Sequence, residues 1–126
     1  MTIRDQFAAP FDRCFLCGTK AENTWPPRLE SHDMARGPDR EKSKNERCNL
    51  IRACPRCHTE RLDGMPVVIQ LAIKRLYDPD GYDRERVNIL RGRAHNAITE
   101  SEVLMEYYEL QAAATSTGHP FPRWTW

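Results

Sequence analysis

The stretch that decides the fold opens as Cys14-Phe-Leu-Cys17 and closes as Cys54-Pro-Arg-Cys57-His58. Each half is a C-x2-C pair, and a two-residue spacer lets both sulfurs of one loop face the same ion. Two such pairs supply the four thiolates of a closed tetrahedral zinc site. We therefore predict a structural zinc ion held by Cys14, Cys17, Cys54 and Cys57. Its binding would stabilise a small core by on the order of 10 kcal/mol at neutral pH.

The composition limits what kind of protein this is. The 126 residues, 40% apolar and 29% charged, suffice for a single domain over residues 1–126. Paired C-x2-C loops fit metal binding in a reducing interior better than a disulfide framework, and the odd cysteine, Cys48, is expected to be a buried free thiol. No apolar run reaches membrane-spanning length and no secretory leader is present, so we expect a cytoplasmic protein with no membrane partner.

Apolar spacing and turn residues predict short strands followed by helices. One strand is expected at Arg28-Leu-Glu-Ser-His32 and a second at Asn49-Leu-Ile-Arg52, with a helix beginning in the second C-x2-C pair. A helical extension is expected over residues 65–114, where apolar residues recur at helical spacing and Pro66 suits the first helical position. Its helices are predicted at residues 65–77, 84–94 and 99–114. Residues 1–13 are expected to form a short lead-in.

The C-terminal part divides into a helix and a tail. Thr99 and Glu102 have the spacing of a capping box, which predicts where the last helix begins. Residues 115–126 are rich in proline and aromatic residues. This tail either docks on the body of the protein or binds a protein partner, and docking or fraying is the usual behaviour of a terminus.

The order of these motifs resembles a known family. Between the cysteine pairs lie Ser31-His32, followed by Arg36-Gly37, and Asn49-Leu50-Ile51, and His58 directly follows the last cysteine. This combination is similar to the HNH endonucleases with a zinc-bound frame, which belong to the ββα-metal (treble-clef) nucleases. The resemblance covers residues 14–62. It implies an α+β fold, with a zinc-stapled ββα-metal core followed by additional helices.

The resemblance also implies catalytic roles. In the family, the histidine that ends the first strand is the base that activates water, which here is His32. The histidine after the last cysteine is a ligand of a catalytic divalent cation (Mg²⁺, Mn²⁺ or Ni²⁺), which here is His58. The asparagine, here Asn49, holds the loop and orients the base. Histidine suits the base role because its unperturbed pKa of about 6.5 leaves it largely neutral in a cell. The products would carry 5′-phosphate and 3′-hydroxyl groups.

One position departs from the family pattern. The family usually has Asp or His directly before the base as a second cation ligand, and this chain has Ser31 there. In one alignment His32 is the base, with Ser31 or Asp33 completing the cation site. In a shifted alignment His32 is the ligand and Asp33 takes the place of the base. The first is preferred because the spacing from His32 to Arg36-Gly37 then matches the family.

Charge is segregated along the chain, although the formal net charge is only +1. Residues 35–61 hold eight basic and four acidic residues, and the predicted helix at residues 84–94 carries four arginines. Such patches can neutralise phosphates with little base specificity. We therefore expect double-stranded DNA as the partner, with Arg36, Arg52 and Arg56 contacting its phosphates.

These observations favour a metal-dependent HNH endonuclease that nicks or cleaves DNA. The alternative is a non-catalytic zinc module that binds DNA or a protein, in which Ser31 marks a weakened cation site. A third hypothesis is a nuclease subunit that a partner switches on through the tail. Small HNH proteins of this shape are frequent in phage genomes and mobile elements.

Overall fold

The computed structural model describes residues 2–36, 46–92 and 97–117. Within them the chain is an α+β protein, with a two-stranded antiparallel sheet, several helices and a buried four-cysteine cluster. In chain order the elements are α1 (Ile3–Ala8), β1 (Glu30–Asp33), β2 (Leu50–Ala53), α2 (Pro55–Cys57), α3 (Val67–Tyr77), α4 (Arg84–Arg91) and α5 (Glu100–Thr117). A π-helical turn over His58–Leu62 continues α2.

The register of the sheet decides which side chains share a face. Strands β1 and β2 pair so that Ser31 lies opposite Arg52 and His32 lies opposite Ile51. Successive side chains of a strand alternate between faces, so His32 shares a face with Ile51 while Ser31 shares the other with Arg52. Both predicted strands are therefore present, and each ends one residue later than the sequence pattern indicated.

The N-terminal lead-in contains a helix that the sequence pattern did not predict. Helix α1 begins with a capping box in which the Thr2 side chain accepts from Asp5 N and the Asp5 carboxylate accepts from Thr2 N. Its one buried residue, Phe7, packs against Phe11 and Phe15, with ring centroids 5.1 and 6.3 Å away. A six-residue helix is too short to show apolar periodicity, and aspartate is not the usual third residue of the box.

The predicted helical extension is present as α3, α4 and α5. Helix α3 packs against α5, whose predicted start is confirmed by the hydrogen bond from Glu102 N to Thr99 Oγ1 at 3.2 Å. Pro66 lies at the N-cap position of α3, one residue before the first helical position that the sequence pattern predicted for it. Helix α4 ends before Gly92, whose φ of 68° is left-handed. None of the described helices is long and apolar enough to span a bilayer.

A buried charge network fixes α3 against the sheet. Lys74 is 0% exposed, and its Nζ donates to the Leu50 carbonyl at 2.8 Å and to Asp78 Oδ2 at 2.6 Å. Arg47 donates to the other oxygen of Asp78 at 2.6 Å. Burial opposes ionisation of Asp78, yet hydrogen bonds from Arg47 and Lys74 hold the pKa of its carboxyl below the usual range. The network fixes the position of α3 relative to β2.

Candidate functional site

Four thiols from two separate loops meet in the core. The Sγ atoms of Cys14, Cys17, Cys54 and Cys57 all lie within 4.8 Å of one another, and all four residues are buried. Cys17 Sγ and Cys54 Sγ, from different loops, are 3.9 Å apart. A tetrahedral zinc ion with Zn–S bonds of about 2.3 Å separates its sulfurs by about 3.8 Å. The cluster could therefore hold a structural zinc ion. Cys48 is buried but is not one of the cluster residues.

Backbone N–H groups support the cluster. Leu16 N donates to Cys14 Sγ and Cys57 N donates to Cys54 Sγ, each at 3.4 Å. Zinc binds the thiolate form of cysteine, so these contacts favour the form that a metal would take.

Two histidines meet beside this cluster. His32 Nδ1 lies 3.1 Å from His58 Nε2, although 26 residues separate them in sequence. Strand β1 positions His32, and the cysteine loop positions His58 because His58 directly follows Cys57. His32 is only 6% exposed, and burial lowers the pKa of its imidazole below the ordinary 6.5. His32 is therefore neutral at neutral pH and can accept a proton.

The outer nitrogen of His32 contacts a side chain from α3. Gln70 Oε1 lies 2.9 Å from His32 Nε2, and Gln70 is 4% exposed. The other amide atom, Gln70 Nε2, donates to the Met65 carbonyl at 2.8 Å, which makes Oε1 the atom that faces the ring. An amide oxygen only accepts, so this contact is a hydrogen bond when His32 carries its hydrogen on Nε2.

The outer nitrogen of His58 contacts a carboxylate on β1. His58 Nδ1 lies 2.9 Å from Glu30 Oε1. Burial opposes ionisation of Glu30, but hydrogen bonds from His58 and Arg28 hold the pKa of its carboxyl below the usual range. Because an ionised carboxylate only accepts, His58 donates through Nδ1. A carboxylate behind a histidine in this way is a common support of metal-ligating histidines.

The two inner nitrogens then face each other without a hydrogen between them when both rings are neutral. A neutral imidazole carries one N–H, and both rings use theirs on the outer partners. Lone pairs on His32 Nδ1 and His58 Nε2, 3.1 Å apart, repel unless a positive charge lies between or beside them. The pair is therefore suited to bind a cation between or beside these two nitrogens.

Asn49 braces the loop that follows β1. It is fully buried, its Oδ1 accepts from Ala35 N at 2.7 Å, and its Nδ2 donates to the Ala35 carbonyl at 3.0 Å. The loop it holds leads directly into Arg36. These contacts fit the loop-holding role that the family resemblance implies.

A cavity of about 420 Å³ opens at the histidine pair. It is lined by both histidines, by Gln70 and by the exposed Arg36, among others. Its size falls within the range of small-molecule and cofactor sites. His32, His58 and Arg36, which were predicted to act together, thus line one cavity. Asn49, also predicted, is buried and holds the loop that leads to Arg36.

Ser31 and Asp33, predicted as cation ligands, have other partners. Ser31 Oγ accepts from Arg52 Nη1 at 3.1 Å, and Asp33 Oδ1 accepts from Arg4 Nη1 at 2.9 Å. Asp33 lines the same cavity as His32, but its carboxylate is held by the arginine of α1. The carboxylate in contact with His58 is that of Glu30. A role of Ser31 or Asp33 at a cation stays a prediction.

Many of the arginines take part in ion pairs within the protein. Arg56 pairs with Glu60 at 2.9 Å, Arg84 pairs with Glu100 at 3.1 Å, and Arg86 pairs with Glu46. Arg52 lies on the sheet face opposite His32, where burial lowers the pKa of its guanidinium. Arg40, Lys42, Lys44 and Arg93, counted in the basic patches, lie outside the described residues, as do Gly37 and residues 118–126 of the tail.

Glu30 and Gln70 are the site residues that the motif did not reveal. Glu30 lies two positions before His32 in the strand, and this alternation was a readable sign of a shared face. Gln70 lies in a helix that no motif connects with the histidines.

No family model, no curated protein and no solved structure matches this chain.

Proposed function

We propose that this protein is a metal-dependent endonuclease of the HNH type, which hydrolyses phosphodiester bonds of DNA. In this proposal residues 14–62 form a ββα-metal (treble-clef) core. The observation that supports it most is the approach of His32 Nδ1 to His58 Nε2, 3.1 Å, at a cavity that Arg36 also lines. One neutral histidine can serve as a base, and the other is oriented by a carboxylate as a cation ligand.

His58 offers one nitrogen to a divalent cation. Its Nδ1 is engaged by Glu30, which leaves the lone pair on Nε2, the nitrogen that lies 3.1 Å from His32 Nδ1. When bound, the cation would neutralise charge on the phosphate and on the leaving oxygen. Imidazole nitrogen suits transition metals such as Ni²⁺, whereas Mg²⁺ and Mn²⁺ prefer oxygen ligands.

His32 then acts as the general base. With its Nε2 hydrogen donated to Gln70, its free lone pair is on Nδ1, where it can take a proton from water. The depressed pKa keeps that lone pair free at neutral pH. Arg36, exposed at the cavity, is the residue suited to bind the scissile phosphate through its guanidinium.

The test is cleavage of supercoiled plasmid by the zinc-loaded protein with Mg²⁺, Mn²⁺ or Ni²⁺ added separately. We expect nicked or linear plasmid from the wild type and a rate about 10²- to 10⁴-fold lower for His32→Ala. Asp33→Ala is the matched variant, because it removes a carboxylate held by Arg4 and leaves the histidine pair intact. Cleavage lost in His32→Ala but retained in Asp33→Ala would support His32 as the base, and cleavage lost in both variants would support the shifted alignment, in which His32 is the ligand and Asp33 the base.

A non-catalytic zinc module that binds DNA or a protein is the second candidate. It is favoured by the contacts of Ser31 and Asp33 with arginines, which leave His58 and Glu30 as a sparse setting for a catalytic cation. Salt-dependent DNA binding by the wild type, without cleavage in any of the three cations, would favour this candidate over the nuclease.

A further inference from the structure

We propose that Gln70 is a positioning residue that sets the tautomer of His32, so that helix α3 is part of the active site. This inference rests on the proposed nuclease function for its kinetic consequence. Gln70 lies outside the 14–62 stretch that carries the family resemblance, in the helical extension. Its contact with His32 joins two parts of the chain that the sequence pattern treats as separate.

The orientation of the Gln70 side-chain amide follows from its second contact. Gln70 Nε2 donates to the Met65 carbonyl at 2.8 Å, which lies at the turn leading into α3. A backbone carbonyl accepts only, so the reversed amide would place two acceptors against each other. This contact therefore makes Oε1 the atom presented to His32, 2.9 Å from Nε2.

The Gln70 oxygen affects the tautomer of the His32 imidazole. A neutral imidazole has two tautomers, and the partner of one nitrogen decides which nitrogen carries the hydrogen. Because Gln70 Oε1 can only accept, the Nε2–H tautomer is favoured and the lone pair is placed on Nδ1. That nitrogen is the one beside His58 Nε2, at 3.1 Å. The opposite tautomer would direct an N–H at His58 and leave no base at this position.

The position of Gln70 is fixed by its burial and by the contacts of α3. Gln70 is 4% exposed, and α3 is fixed to β2 by the hydrogen bond from Lys74 to the Leu50 carbonyl. Lys74 lies one turn of helix after Gln70, so the network that holds one holds the other. The helical extension thus positions the base through the Gln70 side chain, while His32 itself belongs to residues 14–62.

The experiment reads the tautomer directly, by ¹⁵N NMR of the imidazole nitrogens in the zinc-loaded protein without any other divalent cation. The wild type is expected to show His32 as the Nε2–H tautomer. Gln70→Met, of similar size but without an acceptor, is expected to lose this preference. Gln70→Glu keeps an acceptor against His32 Nε2 and is expected to retain this preference, although its second oxygen then faces the Met65 carbonyl and lowers the stability of the protein. Gln111→Met, an exposed glutamine of α5, is the control and should leave the His32 signals unchanged.

Plasmid cleavage supplies the second readout. We expect Gln70→Met to lower kcat about 10- to 100-fold with little change in KM, because a misplaced base affects the chemical step more than binding. Gln70→Glu should retain more of the rate than Gln70→Met, because it keeps the acceptor for His32 Nε2. Zinc content and thermal unfolding confirm that each variant folds, and the wild-type spectrum decides the tautomer even if Gln70→Met does not fold.

An Nδ1–H tautomer in the wild type would overturn the inference, and so would an Nε2–H tautomer that persists in Gln70→Met. An unchanged kcat in a Gln70→Met protein that has lost the tautomer would also overturn it. Failure of the nuclease proposal is separate, since a wild type that cleaves no plasmid leaves the NMR result to decide the role of Gln70.

Discussion

The four-cysteine cluster and the histidine pair are neighbours in sequence, at Cys57 and His58, yet they are built in different ways. The cluster takes its atoms from two short loops whose internal spacing already brings the sulfurs together. The histidine pair takes its atoms from β1 and from the turn after α2, and its support from α3.

A local motif thus places one histidine of the pair, while contacts between residues distant in sequence place the other. The cysteine loop fixes His58 because His58 directly follows Cys57, whereas His32 depends on the register of the sheet and on packing of the helical extension. Damage to the cluster should therefore disturb both sites, and damage elsewhere should disturb the histidine pair alone. Four changes test this dependence, in order of decreasing effect.

Cys54→Ser should have the largest effect. It removes one of four thiolates from the predicted zinc site, whose binding contributes on the order of 10 kcal/mol, comparable with the whole stability of a small domain. We expect loss of bound zinc and of cooperative thermal unfolding, measured by metal analysis and circular dichroism. Cys48→Ser is the matched control and should keep both properties. Cooperative unfolding of Cys54→Ser without zinc would show that the cluster does not support the fold.

Asp78→Ala should separate the two sites. It leaves the ammonium of Lys74, which is 0% exposed, without its carboxylate, and breaking a buried pair costs about 3–5 kcal/mol. We expect that loss in urea unfolding, with zinc content unchanged. The exposed Asp80 offers the control variant Asp80→Ala, which should change stability little. Loss of zinc in Asp78→Ala would mean that the cluster depends on α3 as well.

Glu30→Gln should act on the histidine pair alone. The variant keeps the shape of the side chain but removes the charge that orients His58. We expect Ni²⁺ binding to the zinc-loaded protein, measured by calorimetry, to weaken by about 10- to 100-fold. Glu60→Gln, in the exposed pair with Arg56, should leave it unchanged. Equal Ni²⁺ affinity in Glu30→Gln and wild type would show that Glu30 does not support His58 as a ligand.

The smallest effect concerns pH. Burial lowers the pKa of His32 in the folded protein, while in the unfolded chain it returns to about 6.5. Below about pH 6.5 the unfolded chain therefore binds a proton that the folded protein excludes, and the free energy of unfolding falls as the pH is lowered through this window. Above it this contribution is fully present.

The measurement is urea unfolding of the zinc-loaded wild type and of His32→Gln at about pH 7 and about pH 6. The wild type should lose more stability than the variant at the lower pH. An equal loss in both proteins would mean that His32 titrates normally in the folded state.

The sequence predicted the features that depend on local spacing. The C-x2-C pairs predicted the cluster, and apolar periodicity predicted the helices that the structure has over Val67–Tyr77, Arg84–Arg91 and Glu100–Thr117. Helix α1 was missed because its support comes from aromatic contacts with residues beyond its own six, such as Phe15. The family resemblance pointed to His32, Asn49 and His58 as candidate site residues, but not to Gln70 and Glu30, which contact the two histidines.

What the sequence determined by itself is the set of groups available and their local arrangement: four thiols in two tight loops, a histidine tied to one loop, and a histidine at a strand end. Only the tertiary structure decided that Glu30 faces His58, that Ser31 and Asp33 are held by arginines, and that Gln70 reaches His32. The physical reason is that a two-residue spacer restricts the loop geometry directly, whereas contacts across 38 residues depend on strand register and on a helix held by a buried ion pair.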